Sequence, residues 1–362
     1  MHTLLPWTTT LRLVISLWLV CWCGVLASVA QDAPRLELAD DTSELISLRL
    51  IGSLGRGYRI DASSDLMRWS FLTSSNSATG TFAFSDPKTQ ATERRFYRAA
   101  ETSEVLGQIR PLGRGSVRAW VRLDANAAPN AIGVTLTEAA LTNLPSGGVE
   151  LVLTLPTAPG VAPFNHIGLN WNPQGHPPSG VYNKAHFDVH FYLVTLQERN
   201  AINSSDGGAK IYQAPDSAFL PPDYDLSPGS GDARMGSHWW DVAAPELNGQ
   251  PFTYTLIYGY YDGNLTFIEP MVTVAFLKGQ PALTADIKQP AAFAKAGSYP
   301  VRYEISYSAA FREYSISLEG LTSRQASVAA PATQSRRQRS GLVPAVRDAW
   351  CGPPGSSQYL RN

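Results

Sequence analysis

The chain has 362 residues, of which 44% are hydrophobic and 10% aromatic, while only 16% are charged. Its formal net charge of −1 gives no electrostatic basis for binding nucleic acid or an anionic membrane surface. The 29 Gly and 26 Pro residues predict many turns, and the scarcity of charged residues favours short strands over long, charge-faced helices.

The first thirty residues predict a cleavable signal peptide. Arg12 precedes an apolar run at 13–26, and the small residues SVA follow at 28–30. The run is shorter than the ~20 residues that span a bilayer, so an uncleaved anchor is disfavoured. We therefore expect a mature chain that begins at Gln31, retains no membrane span and keeps only Cys351 of the 3 cysteines. Such a protein is secreted, or lies in the periplasm or cell envelope.

Residues 36–100 predict a small strand-rich module. Short runs at 46–50, 58–60, 81–84 and 95–98 are separated by turn residues. The stretches YRIDASSDLMRWSFL, TFAFSDP and RRFYRA resemble a small β-module common in exported proteins of Verrucomicrobia-like bacteria. The matching residues are Tyr58, Ser64, Asp65, Leu66, Trp69, Phe96, Tyr97 and Arg98. The turn departs from the pattern, because no residue separates the Ser from the Asp. The resemblance implies an accessory or adhesion-like domain, and we expect Trp69 to be a core residue.

Residues 106–320 predict a larger β-domain, which makes the fold class all-β. Strands are predicted at 117–123, 131–136, 149–155, 167–171, 186–194, 252–261, 266–276, 301–307 and 314–318, with one short helix at 137–144. This pattern favours an antiparallel sandwich or barrel. The alternation stops after residue 320, so residues 321–362, with their basic run at 336–339, predict a disordered tail.

Histidines concentrate in one part of the larger domain. Five of the 6 His lie between residues 166 and 238, and acidic residues accompany them. The candidate metal ligands are His176, His186, Asp188, His190, His238 and Glu269. On a strand, three of these share one face, because alternate residues at 186, 188 and 190 point the same way. Glu269 lies in an apolar run where a lone carboxylate is costly, so we expect it to have a cationic partner.

Strand geometry limits which of these residues can share one ion. Residues two apart on a strand face lie ~6.6 Å apart, whereas His186 and His190 would be ~13 Å apart. Either a bulge bends the strand or the two histidines have different roles. A zinc-peptidase helix is excluded, because no Glu follows His186 and the alternation opposes a helix.

The donor types indicate a divalent cation. A mixed histidine and carboxylate set without cysteine favours zinc, while manganese, iron and copper stay open. The alternative is that the histidines only hydrogen-bond loop carbonyls and pack on Trp239 and Trp240.

The order of motifs resembles a known family. The stretches WNPQGHPP (171–178), GVYNKAHFDVHFYL (180–193), MGSHW (235–239), YGYYDG (258–263) and EPM (269–271) are similar to a family of uncharacterised exported bacterial domains that includes a Thermus protein under sigma-factor control. The resemblance covers residues 106–277, and Ala185 departs from it where a Pro is expected. It implies a β-rich domain that can form a homo-oligomer and that has no established activity.

Three functions remain open at this point. The first is an exported metal-binding β-domain of the cell envelope or exterior. The second is a metal-dependent hydrolase or lyase, in which three ligands leave a position for activated water and Asp188 or Glu269 acts as base. The third is a structural or adhesive envelope protein without a metal.

Overall fold

The computed structural model describes residues 33–41, 45–53, 56–67, 69–75, 79–87, 94–124 and 126–327. The predicted signal peptide and the basic run at 336–339 lie outside the described residues. Neither of the two α-helices in the described part is long or apolar enough to cross a membrane.

The N-terminal part consists of two small antiparallel sheets. Its strands are β1 (Arg35–Asp41), β2 (Leu45–Ile51), β3 (Gly57–Ser63), β4 (Ser70–Ser75), β5 (Thr81–Pro87) and β6 (Phe96–Thr102). The sheets have the orders β1-β2-β5 and β4-β3-β6, and they share an apolar cluster that includes Leu50, Ile60 and Phe84. Trp69, expected in the core, is instead half-buried outside this cluster, with the Arg98 guanidinium carbon 4.5 Å from its ring centre.

The rest of the described chain is also mostly strand, so the all-β prediction is confirmed. The strands are β7 (Glu104–Leu106), β8 (Arg110–Leu112), β9 (Gly115–Leu123), β10 (Pro129–Thr137), β11 (Val149–Thr154), β12 (His166–Asn172), β13 (His186–Tyr192), β14 (Tyr224–Asp232), β15 (Gly236–Asp241), β16 (Tyr254–Tyr261), β17 (Asn264–Thr273), β18 (Ala282–Asp286), β19 (Gly297–Tyr299), β20 (Arg302–Ser308), β21 (Glu313–Glu319) and β22 (Thr322–Arg324). The α-helices are α1 (Leu196–Ala201) and α2 (Val274–Lys278). Short 3-10 helices occupy Glu138–Leu141, Ser217–Phe219 and Pro245–Asn248.

Two predicted elements differ in detail from the structure. The helix expected at 137–144 is a single 3-10 turn at Glu138–Leu141. The strand expected to reach residue 276 ends at Thr273, because the Thr273 hydroxyl accepts a hydrogen bond from the backbone N–H of Phe276 and thereby caps α2.

Two seven-stranded antiparallel sheets pack together as a sandwich. One has the order β18-β20-β21-β10-β9-β7, with β8 also paired to β9, and the other has the order β11-β12-β13-β17-β16-β15-β14. A single hydrophobic core takes residues from both, including Val134 and Ile316 from the first sheet and Val189 and Ile268 from the second. The division into domains at 36–100 and 106–320 stays a prediction.

The paired chain extends past the predicted start of the tail. Strand β22 pairs with β19, and the backbone N–H of Ser327 donates to the carbonyl of Phe293. Residues 321–327 therefore belong to the fold, and the remainder of the predicted tail lies outside the described residues.

Buried charges connect the N-terminal sheets to the larger part. Nη1 of Arg59 in β3 donates to Oε2 of Glu313 in β21 at 2.6 Å, and Nη2 of Arg118 in β9 lies 3.4 Å from Oε1 of Glu313. All three side chains are at least nine-tenths buried. One carboxylate therefore serves two guanidinium groups in the interior.

Candidate metal centre

Strand β13 carries the polar stripe that the sequence predicts. His186, Asp188 and His190 share one face of the strand, and every residue of β13 is buried. The alternate residues on its other face belong to the hydrophobic core of the sandwich. The polar face is therefore an interior surface and not a solvated one.

Strand β17 brings a carboxylate to this face. The pairing of Phe191 with Ile268 in the antiparallel ladder places His190 opposite Glu269. Glu269 is 1% exposed, so its carboxyl group depends on partners within the interior and not on bulk water.

Gly259 allows a residue from a more distant strand to reach the same carboxylate. His238 of β15 pairs with Gly259 of β16, which in turn pairs with Phe267 of β17. A Cβ atom at Gly259 would lie 2.1 Å from the Phe267 ring. Because position 259 has no side chain, the ring occupies that space, and Nε2 of His238 lies 3.8 Å from Oε2 of Glu269 across β16.

His176 comes from the loop between β12 and β13. The preceding Gly175 has a φ of +72°, and a Cβ there would lie 1.9 Å from the carbonyl oxygen of Tyr182. Only glycine fits this close approach. The turn thereby places the His176 ring 4.7 Å from the ring of His186, centre to centre.

The six predicted ligands form two groups of three. The first cluster is His176, His186 and Asp188, and the second cluster is His190, His238 and Glu269. Within each cluster the candidate donor atoms all lie within 4.8 Å of one another. The structure thus brings together all six residues but divides them, with His186 and His190 on opposite sides of the division.

The first cluster is organised around the Asp188 carboxylate. Its Oδ1 lies 2.9 Å from Nε2 of His186, and its Oδ2 lies 3.4 Å from Nε2 of His176. Oδ2 also accepts a hydrogen bond of 2.6 Å from Nδ2 of Asn172. The close approach of Oδ1 and His186 lacks hydrogen-bond alignment, since neither atom has an aligned partner in the described structure.

The second cluster has the same organisation around Glu269. Oε1 lies 3.3 Å from Nε2 of His190, and Oε2 faces Nε2 of His238. The Phe267 ring covers both imidazoles, with its centre 4.7 Å from that of His190 and 5.1 Å from that of His238. An aromatic ring thus packs on this cluster, as the Phe252 ring does on His186 of the first cluster, 5.3 Å away between ring centres.

These separations suit a shared cation. Zinc binds nitrogen and oxygen donors at ~2.0–2.2 Å in tetrahedral geometry, which places two donors ~3.4 Å apart. The four carboxylate–imidazole distances, from 2.9 to 3.8 Å, bracket that value.

Three of the four imidazoles are oriented by backbone carbonyls. Nδ1 of His176 lies 2.7 Å from the carbonyl oxygen of Pro177, Nδ1 of His186 lies 2.6 Å from that of Lys184, and Nδ1 of His238 lies 2.9 Å from that of Ser230. A carbonyl oxygen only accepts, so each Nδ1 carries a proton, and in the neutral imidazole each Nε2 keeps a lone pair for a cation. Metal-bound histidines usually have this outer support, which fixes the tautomer and aims Nε2.

The two clusters differ in their electrostatics. Burial would raise the pKa of Asp188, but His176 and His186 outweigh burial and hold it below its usual value. Burial raises the pKa of Glu269 well above its usual value, with a further contribution from the charge of Asp188. Burial also lowers the pKa of His190 to about 3. Burial thus disfavours the charged forms of His190 and Glu269.

A TTHB210-like family model matches residues 124–171. The model is described as hypothetical protein TTHB210, and the chain is similar to that family from β10 into β12. The match agrees with the predicted resemblance to a Thermus-type family, while the later motifs and the resemblance of the N-terminal module stay predictions. No curated protein and no solved structure matches the chain. All six candidate ligands follow the matched segment, so their grouping rests on the structure.

The sequence did not identify the residues that support the ligands. Asn172 holds Asp188, and the carbonyls of Lys184 and Ser230 orient two histidines. Asn172 could have been found from its place in the WNPQGHPP motif. The carbonyl partners could not, because the course of the backbone, and not the residue type, places a carbonyl beside a histidine. His166, the fifth histidine of the region, stacks on Tyr192 and joins neither cluster.

Proposed function

We propose that this protein is an exported β-domain protein that binds a divalent metal ion, with zinc as the first choice, through its histidine and carboxylate clusters. The observation that carries the proposal is the convergence of the Nε2 atoms of His176, His186 and His238 on buried carboxylates, while a backbone carbonyl holds each Nδ1. Histidines with carboxylates and no cysteine are typical zinc donors.

A packing role alone would leave several polar atoms unsatisfied. Within the described structure, the buried atoms Nε2 of His186, Oδ1 of Asp188, both ring nitrogens of His190 and Oε2 of Glu269 have no aligned hydrogen-bond partner. Buried polar atoms without partners are rare in folded proteins. Cations bound in the clusters would accept lone pairs from most of these atoms, which supports metal binding over a purely hydrogen-bonded core.

The decisive experiment is elemental analysis of the purified mature protein. We expect near-stoichiometric divalent metal in the wild type and its loss in a His186→Ala, His190→Ala double variant. His166→Ala is the matched control, because it removes a buried histidine of the same sheet that belongs to neither cluster. A wild type that stays empty after reconstitution with Zn²⁺ would refute the proposal.

The location is part of the proposal. The apolar run at 13–26 and the small residues that follow it support export to the periplasm, cell envelope or exterior. Mass spectrometry of the exported protein should find an N-terminus at Gln31. Size-exclusion chromatography with light scattering of the same sample will show whether the chain forms a homo-oligomer.

A metal-dependent hydrolase or lyase is the second candidate. Each cluster supplies three protein donors, the number found in catalytic zinc sites, which keep one position for water. Activity on ester, phosphate-ester or lyase substrates should then disappear with a chelator, return with Zn²⁺ and be absent from His238→Ala. A metal-loaded protein that is inert on these classes would leave the binding role alone.

A further inference from the structure

The two clusters cannot supply one ion. His186 and His190 are four residues apart on the straight, fully paired part of β13, which separates their Cα atoms by ~13 Å. Their Nε2 atoms face different carboxylates, at 2.9 Å for Asp188 and 3.3 Å for Glu269. A metal–nitrogen bond is only ~2.1 Å long, so no single ion bonds both histidines.

The clusters also share no donor. Both oxygens of Asp188 face histidines of the first cluster, and both oxygens of Glu269 face histidines of the second. Each cluster therefore has its own carboxylate and its own pair of imidazoles, so that either can be complete while the other is empty.

We infer that the chain binds two divalent ions side by side on the interior face of β13, one in each cluster. This inference rests on the proposed metal-binding function and specifies its stoichiometry. Each ion would keep one carboxylate and two neutral imidazoles, which leaves both sites with a net positive charge. Because the two like charges are close in a buried setting, the second ion binds more weakly than the first, by tenfold or more.

The two sites differ in their access to solvent. The most exposed side chain of the first cluster, His176, is 35% exposed, whereas that of the second, His238, is 17% exposed. An ion in the first cluster can leave by displacement of one half-exposed loop histidine. An ion in the second must leave past the Phe267 ring and His238, so it exchanges more slowly.

The test compares two single variants that each remove one outer ligand. His176→Ala removes a loop residue and His238→Ala removes a residue of β15, so neither changes β13 itself. The metal-free proteins are loaded with Zn²⁺, desalted and measured by elemental analysis. We expect two ions in the wild type, one in each single variant and none in the double variant. His166→Ala should keep two.

Co²⁺ provides a readout that does not depend on counting. The visible absorption of the Co²⁺-loaded wild type should equal the sum of the spectra of the two single variants, and a chelator should remove the wild-type signal in two phases. If either variant unfolds, as judged by circular dichroism, His176→Gln or His238→Gln replaces it.

The outcomes separate this inference from the proposal beneath it. A wild type that binds only one ion would overturn the two-ion inference and leave metal binding intact, whether one or both of the single variants lose that ion. A wild type with no ion would overturn both.

Discussion

Nε2 of His190 lies 3.3 Å from Oε1 of Glu269, and both side chains are almost completely buried. Burial disfavours the charged form of both groups, since it lowers the pKa of His190 to about 3 and raises that of Glu269 well above its usual value. The contact is therefore not an ordinary ion pair. A negative charge on Glu269 becomes favourable only when a cation binds between the two side chains.

Glu269→Gln should separate metal affinity from stability. The amide keeps the shape of the side chain but removes the negative charge. We therefore expect the Zn²⁺ affinity of the second cluster to fall by at least ~100-fold, which exceeds the loss of affinity on removal of a residue that only hydrogen-bonds a ligand. The metal-free variant should be as stable as the metal-free wild type or more so, because a buried carboxyl group is replaced by an amide. Calorimetric titration measures the first effect and urea unfolding the second. Unchanged Zn²⁺ affinity would show that Glu269 is not a ligand.

Asn172→Ala should weaken the first cluster alone. Nδ2 of Asn172 donates to Oδ2 of Asp188 at 2.6 Å and so holds the carboxylate in place. Loss of such an outer partner typically lowers metal affinity by about 10–100-fold. Zn²⁺ titration of Asn172→Ala should show this loss for one ion only, and the exposed Asn126→Ala should match the wild type. Equal weakening of both ions would mean that the clusters do not act separately.

The sequence predicted the polar face of β13, because alternation fixes which residues of a strand share a face. It named His190, His238 and Glu269 among six candidate ligands, but the grouping of these three comes from the structure. It also gave the ~13 Å separation of His186 and His190. It could not assign His176 to the first or the second cluster, because the position of a loop residue depends on a turn and not on a periodic pattern.

Strands without alternation were missed for a related reason. β14 (Tyr224–Asp232) contains Pro, Ser and Gly residues and has a register shift between Leu226 and Gly231, so its apolar residues show no period of two. Its pairing with β15 supplies the strand edge at which the Ser230 carbonyl meets His238. Cross-strand register of this kind arises from tertiary packing, which local propensity does not encode.

Glu313→Ala should strongly destabilise the fold. It leaves the buried guanidinium groups of Arg59 and Arg118 without their shared carboxylate, and burial already lowers the pKa of Arg118 to about 10. Removing one partner from a buried charge cluster typically costs about 3–5 kcal/mol of unfolding free energy. Urea unfolding measures it. The control is Glu37→Ala, which breaks an exposed ion pair with Arg35 and should cost less than about 1 kcal/mol.

His166 should contribute to the pH dependence of stability. Burial lowers the pKa of its imidazole to about 4, whereas the unfolded chain takes up a proton near pH 6.5. The unfolded state therefore binds more protons between these values, and the free energy of unfolding decreases as the pH falls from about 6.5 to 4, by up to about 1.4 kcal/mol per pH unit. Urea unfolding at several pH values should show a shallower decrease for His166→Gln. Parallel curves for the two proteins would contradict this assignment.

Gly259→Ala should perturb both packing and the second cluster. The new methyl group would meet the Phe267 ring and push it toward the imidazoles of His190 and His238. We expect a loss of about 1–3 kcal/mol in unfolding free energy, as for other overpacked interiors, together with weaker Zn²⁺ binding at the second cluster. Gly147→Ala is the control, because a Cβ at that glycine meets no atom within 4 Å. A stable variant with normal Zn²⁺ affinity would show that the ring does not position the histidines.

Strand β13 is enclosed on both sides, with Phe187, Val189 and Phe191 in the sandwich core and His186, Asp188 and His190 in the two clusters. A slip of one residue in its pairing would exchange these two sets and bury imidazoles and a carboxylate among aliphatic side chains. Errors in strand alignment are thus penalised from both sides, and the coordinating groups assemble only once β13 has paired in its native alignment. Zn²⁺ added during refolding would therefore stabilise only the chain in which β13 is correctly paired.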